Sequence, residues 1–192
     1  MSNGWVYKGG FKNDKFDGLN ETVMMANMAI YQGKICQNKT TPMSLLLYPS
    51  GDIYYGQHSQ FVKHGVGKLI KHSGGFYECS WDMDKYTGNT ARIYDDQTGD
   101  LFVGSLEDGK KNGKGRLYDA ERDEVYEGEF ENDKRQGEGV IYKRNGEVCK
   151  GDFRQNFMEG PFELVATYNR SQTEKVFNNA QRQGNFYMTV NK

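Results

Sequence analysis

Polar and apolar residues alternate along this chain in short bursts, and the bursts recur. In the clearest of them Tyr126, Gly128 and Phe130 are interleaved with Glu127 and Glu129, the period-two pattern of a strand with one wetted face. Six polar residues follow, Glu131 to Gln136, before Gly137 and Gly139 open a second alternating run carrying Ile141. Two alternating runs joined by a polar tip predict a β-hairpin. The phrase is an aromatic residue at position zero, glycine at two, an aromatic or apolar residue at four and glycine at eleven. It starts at Tyr7, Tyr31, Tyr54, Tyr77, Phe102, Tyr126, Cys149 and Thr173, with intervals of 24, 23, 23, 25, 24, 23 and 24 residues. Apolar residues near position fifteen, read as Leu46, Leu69, Leu117, Ile141, Leu164 and Met188, mark the return strands.

Between hairpins stand tight-turn signals, Ser50-Gly51-Asp52, Ser73-Gly74-Gly75 and Asn145-Gly146-Glu147, which let each hairpin begin beside the last. The expected fold is all-β: one domain, 1–192, made of eight consecutive hairpins in an elongated, single-layer antiparallel sheet with no helix layer over it. About sixteen strands at roughly 4.8 Å make a rod on the order of 75 Å. A fixed period in the twenties is the signature of an array whose units bury their apolar faces only against neighbours. Glycine at position two leaves bare backbone for a neighbouring ring to lie across. The last unit keeps only Phe177 and Gly184, which fits a terminal capping repeat or a short helix.

Composition narrows the function. The 192 residues hold 24 glycines in register with the repeat, and rings make up 14% of the chain, so the available core is aromatic. Twenty-five Lys and Arg against 26 Asp and Glu leave no electrostatic footprint for nucleic acid, and membrane contact is expected only indirectly or weakly. Cys36, Cys79 and Cys149 are widely spaced, which argues against a disulfide framework or zinc site and for a reducing compartment. No signal peptide or bilayer-spanning stretch is read, so a soluble, cytoplasmic protein is expected. The acceptor tripeptides at Asn20, Asn38 and Asn169 carry weight only in a secreted chain.

No chemistry stands out. The segment from Gly104 to Lys110 approaches a phosphate loop, but Lys111 stands where a hydroxyl is needed and no helix follows. His58, His64 and His72 lack a second metal-ligand pair, and no Ser, Cys or Asp reads as an activated nucleophile. The expectation is no catalytic residue, no metal and no cofactor. Two contact surfaces are candidates instead. Rings at Tyr54, Tyr77, Trp81, Phe102, Tyr126, Phe130 and Phe153 share one face and serve both as core and as partner surface. A Met-bearing stretch with Met24, Met25 and Met28 is the alternative docking patch, since methionine adapts to varied partners. The sheet's open ends invite a homodimer.

The run from Tyr126 to Gly139 resembles the MORN repeat (membrane occupation and recognition nexus) almost position for position, and His64-Gly65-Val66-Gly67 matches that family's His-Gly-x-Gly step. Departures are Cys79 for the glycine at two, His58 for the ring at four, and Pro42 and Ser44 for two glycines. The resemblance implies a non-catalytic scaffold that binds a helical or extended segment of a protein partner in a groove. It implies a setting in the cytoskeleton, a cilium, flagellum or axoneme, or a membrane-cytoskeleton junction. Its alternatives are a phospholipid-binding membrane adaptor and a regulatory subunit of an enzyme on a separate chain.

Overall fold

The structure is a computed structural model and describes residues 4–182. The chain falls into two compact units, Met1–Thr87 and Gly88–Lys192. The first holds β1 (Val6–Lys8), β2 (Phe11–Lys12), β3 (Lys15–Phe16), β4 (Gly18–Met24), β5 (Ile30–Cys36), β6 (Lys39–Leu47), β7 (Ile53–Ser59), β8 (Val62–Ile70) and β9 (Phe76–Asp82). Strand β10 (Lys85–Tyr94) runs across the boundary. The second unit continues with β11 (Leu101–Glu107), β12 (Lys110–Asp119), β13 (Glu124–Glu131), β14 (Lys134–Lys143), β15 (Glu147–Arg154), β16 (Phe157–Thr167) and the helix α1 (Arg170–Arg182). In each unit the sheet is antiparallel, follows chain order and does not close into a barrel; in the first repeat β2 and β3 form a small ladder of their own at the tip. The expected turns form, with Gly51, Gly74 and Gly146 at φ of 87°, 114° and 94°.

The repeat chemistry is local. Glycines at positions two and thirteen pair across three of the hairpins, Gly56 with Gly67, Gly104 with Gly115 and Gly128 with Gly139. The ring at position zero of the same repeat lies over that bare pair, not a neighbour's ring as the sequence suggests: a Cβ on Gly139 would come within 2.7 Å of Tyr126 Oη. The hydroxyls of Tyr31 and Tyr126 then donate to the carbonyls of Lys34 and Glu129, at 2.8 and 3.0 Å. That carbonyl sits where the ladder slips past a bulge, and Gly137 takes a φ of 63° there, open to glycine at little cost.

Successive tips are stapled together. At position seven Asn38, Asp84, Asp133 and Asn156 adopt left-handed backbone, φ 68° to 76°, which Asn and Asp tolerate best after glycine. Each side chain accepts the backbone N–H of position nine in the repeat before it, namely Phe16, Lys63, Lys111 and Arg135, at 2.7 to 3.1 Å. Each backbone N–H returns a bond to the carbonyl of that same residue at 2.9 to 3.1 Å. Asp133→Ala is expected to lower unfolding free energy by about 1–2 kcal/mol in a denaturant titration, because Lys111 N–H loses its acceptor. Asp133→Asn should be nearly neutral, since asparagine does the same work at two other tips.

Two expectations need correction. The strands do not keep one face wet throughout, and a helix does cover part of the sheet. The residue before each anchor is apolar in every described repeat: Val6, Ile30, Ile53, Phe76, Leu101, Val125 and Val148. Opposite them stand Met24, Leu47, Ile70, Tyr118, Tyr142 and Ala166. These residues form a second apolar row on the face opposite the rings. In the second unit α1 sits on it, burying Phe177 and Ala180 with Val125 against Tyr118, Tyr142 and Val176. Thr173 therefore starts no eighth hairpin; it lies in α1, in the first turn after a capping box in which Gln172 N–H donates to Asn169 Oδ1 (3.0 Å) and Asn169 N–H to Gln172 Oε1 (2.9 Å). Among the described residues seven repeats are hairpins. Gly184, Met188 and the side chain of Pro42 lie outside the described residues.

Candidate partner-binding faces

The ring face is core. Tyr54, Trp81, Phe102, Tyr126, Phe130 and Phe153 are buried and Tyr77 is half-buried. The ring at position four of one repeat meets edge-on the anchor of the repeat before it. Trp81 is 5.6 Å from Tyr54, Phe130 is 5.2 Å from Phe102 and Phe153 is 5.0 Å from Tyr126, the spacing and tilt that ring quadrupoles prefer. In the first unit Tyr77 joins through Tyr86, whose ring is 5.1 Å away. Burial of this depth leaves the seven rings little area for a partner to touch, so the contact surface assigned to them is small.

What covers the rings is position nine, a series not singled out in the sequence. It carries Phe16 stacked on Tyr7, Tyr86 tilted against Tyr77, and cations in three further repeats, with Thr40 and Met158 in the other two. Lys63 lies 5.9 Å from the Tyr54 ring and 5.2 Å from Trp81, Lys111 5.6 Å from Phe102, and Arg135 5.0 Å from Tyr126. Arg135 is buried and paired twice, to Asp119 at 2.9 Å and Glu124 at 2.8 Å. Burial works against ionisation of Asp119, but hydrogen bonds from the Arg122 backbone and guanidinium, with the charges of Arg122 and Arg135, hold its carboxyl below the ordinary range. A cation nine residues after an anchoring ring was the available signal.

The departures from the repeat compensate for one another. Ser44, at a glycine position, and His58, at a ring position, hydrogen-bond across β6 and β7, with Ser44 Oγ 3.0 Å from His58 Nδ1. His64 pairs with Asp82 at 3.3 Å on the surface, and His72 donates its backbone N–H to Asp52. The three histidines do not converge. Among the described residues no group of three or more His, Cys, Asp or Glu could hold a metal. Cys79 and Cys149 are buried and Cys36 is exposed; burial pushes the Cys79 thiol up to about 12. Alkylation of native protein near pH 8 should therefore label Cys36 first, with Cys79 and Cys149 reacting only after denaturant is added, as read by peptide mass spectrometry. Equal labelling of all three would contradict that burial.

The face opposite the rings differs between the units. In the second it holds a shallow trough of about 640 Å³ lined by Val103, Lys114, Arg116, Glu127, Glu129, Glu138, Val140 and Lys150. Its charges are paired, Lys150 to Glu138 at 3.0 Å and Arg116 to Glu127 at 3.9 Å, and Arg116 also donates to the carbonyl of Val176 in α1. In the first unit that face carries exposed apolar side chains, Met43, Tyr55 and Val66 at 46%, 56% and 62%, beside Gln32 and the Lys68–Glu78 pair. Of the Met-bearing stretch, Met25 is buried, Met24 half-buried and Met28 exposed in a turn. Strand β16 ends the second sheet with Phe157, Phe162, Leu164 and Val165 exposed.

Comparison with known proteins agrees with the repeat reading. The family model "MORN repeat" matches residues 7–19, 102–123 and 126–148. Alsin of Rattus norvegicus is 30% identical over 123 residues, 58% of this chain and 7% of alsin. Phosphatidylinositol 4-phosphate 5-kinase 1 of Oryza sativa subsp. japonica is 45% identical over 40 residues, 21% of this chain and 5% of that protein. The chain thus spans under a tenth of the length of these relatives. Among solved structures, the SAS-4 (dCPAP) TCP domain of Drosophila melanogaster, in complex with a proline-rich motif of Ana2, is 12% identical with a TM-score of 0.40, over 77% of this chain and 84% of that one. On the three family matches, and on the hairpin register that the described repeats share, the chain carries MORN repeats.

Proposed function

We propose that this protein is a non-catalytic scaffold that binds a segment of a partner protein on the face opposite its rings. The observation that carries the reading is the division of labour between faces: one is packed with rings, while the other presents a charged trough in the second unit and exposed apolar side chains in the first. A surface with paired charges around an open floor suits polar, specific recognition at modest affinity. The family also supports a binding role, because the relatives carry the matching segment as a small part of long proteins. Among the described residues no helix is long and apolar enough to cross a membrane. The setting we assign is cytoplasmic, in a cytoskeletal, ciliary or flagellar assembly, where a repeat scaffold would hold one component against another.

Quantitative affinity capture tests this. The intact protein is compared with a Lys114→Glu, Glu138→Lys variant that reverses charges in the trough and melts at an unchanged temperature. Specific proteins should be lost from the variant, and fractionation should place them with the cytoskeleton. Identical capture by both, or capture of nothing, overturns a partner site at the trough.

A further inference from the structure

We propose that the first unit carries a docking site for an amphipathic α-helix of a partner protein, laid across β6, β7 and β8 on the face opposite the rings. The proposal rests on the scaffold reading and says what kind of partner segment that scaffold takes. Its warrant is inside the chain. In the second unit the apolar row made by Tyr118, Val125 and Tyr142 is covered by a helix, α1, which reaches three adjacent strands, β12, β13 and β14. The first unit repeats the row with Leu47, Ile53 and Ile70, held in direct register; all three are half-buried, and among the described residues no helix of this unit lies on them. A helix about 10–12 Å across matches three strands spaced at about 4.8 Å.

The surroundings differ in the direction a docking site needs. Position twelve is Lys114 or Glu138 in the second unit but Met43 or Val66 in the first. Position one is Val103, Glu127 or Lys150 there; here it is Tyr55, with Gln32 and Glu78 in the repeats on either side. Beside the uncovered row Met43, Tyr55 and Val66 are apolar and exposed, with Gln32, Lys68 and Glu78 as a polar rim. A contiguous apolar patch rimmed by polar residues marks a contact surface on a soluble fold. A helix suits the site for a further reason. Strand β7 is paired on both sides, by β6 and β8, so no backbone donors or acceptors remain on it for an added strand. A segment lying on the face can offer only side chains and must satisfy its own backbone, as a helix does. Its contact stripe resembles that of α1, a ring with a small residue three positions on, as Phe177 and Ala180.

The probe is a peptide of residues 170–182, held helical by a lactam on its solvent side, labelled with fluorescein, and carrying a benzophenone in place of Val176 for crosslinking. The full chain is titrated with it; the equivalent row in the second unit is already filled by α1, so free peptide reports the first. Saturable one-to-one binding is expected, with crosslinks on β6 to β8. The pair Tyr55→Glu and Val66→Glu should weaken it roughly tenfold or more, while Glu121→Lys leaves it unchanged and a Phe177→Asp peptide does not bind. If the double variant melts early, Val66→Ser and the crosslink map answer the same question. Absence of saturable binding, or crosslinks confined to β12 to β14, overturns the proposal. So does light scattering that shows a dimer abolished by the double variant, which would make a second copy the occupant. Because capture through the trough tests the scaffold reading separately, failure here leaves that reading standing.

Discussion

Replacing Arg135 with alanine is expected to cost about 3–5 kcal/mol of stability, the range for removing one partner of a buried ion pair. The guanidinium is buried over the Tyr126 ring and bonded to both Asp119 and Glu124. Its loss strands two acids with little access to water and uncovers the ring. Arg135→Met, which restores packing but not charge, should recover only part of the loss while Asp119 stays, and more when combined with Asp119→Asn. The pH dependence has a definite sign. Because the folded-state pKa of Asp119 is lowered, its ionisation contributes stability that is fully present above the ordinary value of 3.8 and disappears as pH falls through the lowered one. The wild type should hold this contribution to lower pH than Arg135→Ala, whose acid transition moves up. Melting temperatures across pH 2 to 6 would show it, and coincident profiles would remove Arg135 from the account.

Gly139→Ala is expected to destabilise by about 1–3 kcal/mol, the range for forcing extra volume into a packed site. The methyl group would enter the space occupied by the Tyr126 ring, coming within 2.7 Å of Oη. A double-mutant cycle identifies the cause. Tyr126→Ala alone should cost about 3–5 kcal/mol through the cavity it leaves. With that ring gone, the second methyl group has room, so the pair should be markedly less destabilised than the sum of the two changes. Strict additivity would mean that the glycine serves backbone conformation and not the ring. Gly74, where an added Cβ meets nothing within 4 Å despite a φ of 114°, is the control that isolates backbone strain.

Much of the fold was legible because the ring phrase and the hairpin share one period. Tyr126, Gly128, Phe130 and Gly137 announce a strand, a bed for a ring and the opening of a return strand within a dozen residues, and the structure uses each for that purpose. The second row was harder to see. Val125 and Ile53 sit one residue before a conspicuous tyrosine, and an apolar pair at adjacent positions blurs the alternation that marks a one-sided strand. The tail fitted either a capping repeat or a short helix: the spacing keeps Thr173 on the repeat register, but Asn169 and Gln172 form a local capping pair that decides for the helix. The ring series read two ways because aromatic side chains suit both cores and interfaces. What decides between these roles is whether a neighbour covers them, and Lys63, Lys111 and Arg135 do so from a position that the sequence presents as ordinary polar tip.

The reciprocal staple between tips also bears on how such a chain changes length in evolution. Each Asn or Asp at position seven satisfies a donor and finds an acceptor only in the repeat immediately before it. Duplicating or deleting a whole period of 23 to 25 residues therefore leaves every surviving staple with a partner of the same kind. Removing five or ten residues would instead bring an incompatible backbone opposite a left-handed Asn or Asp and break the bonds on both sides. Descent by whole repeats is the route this bonding pattern leaves open, while substitutions inside a repeat are free to accumulate wherever, as with Ser44 and His58, two changes answer one another.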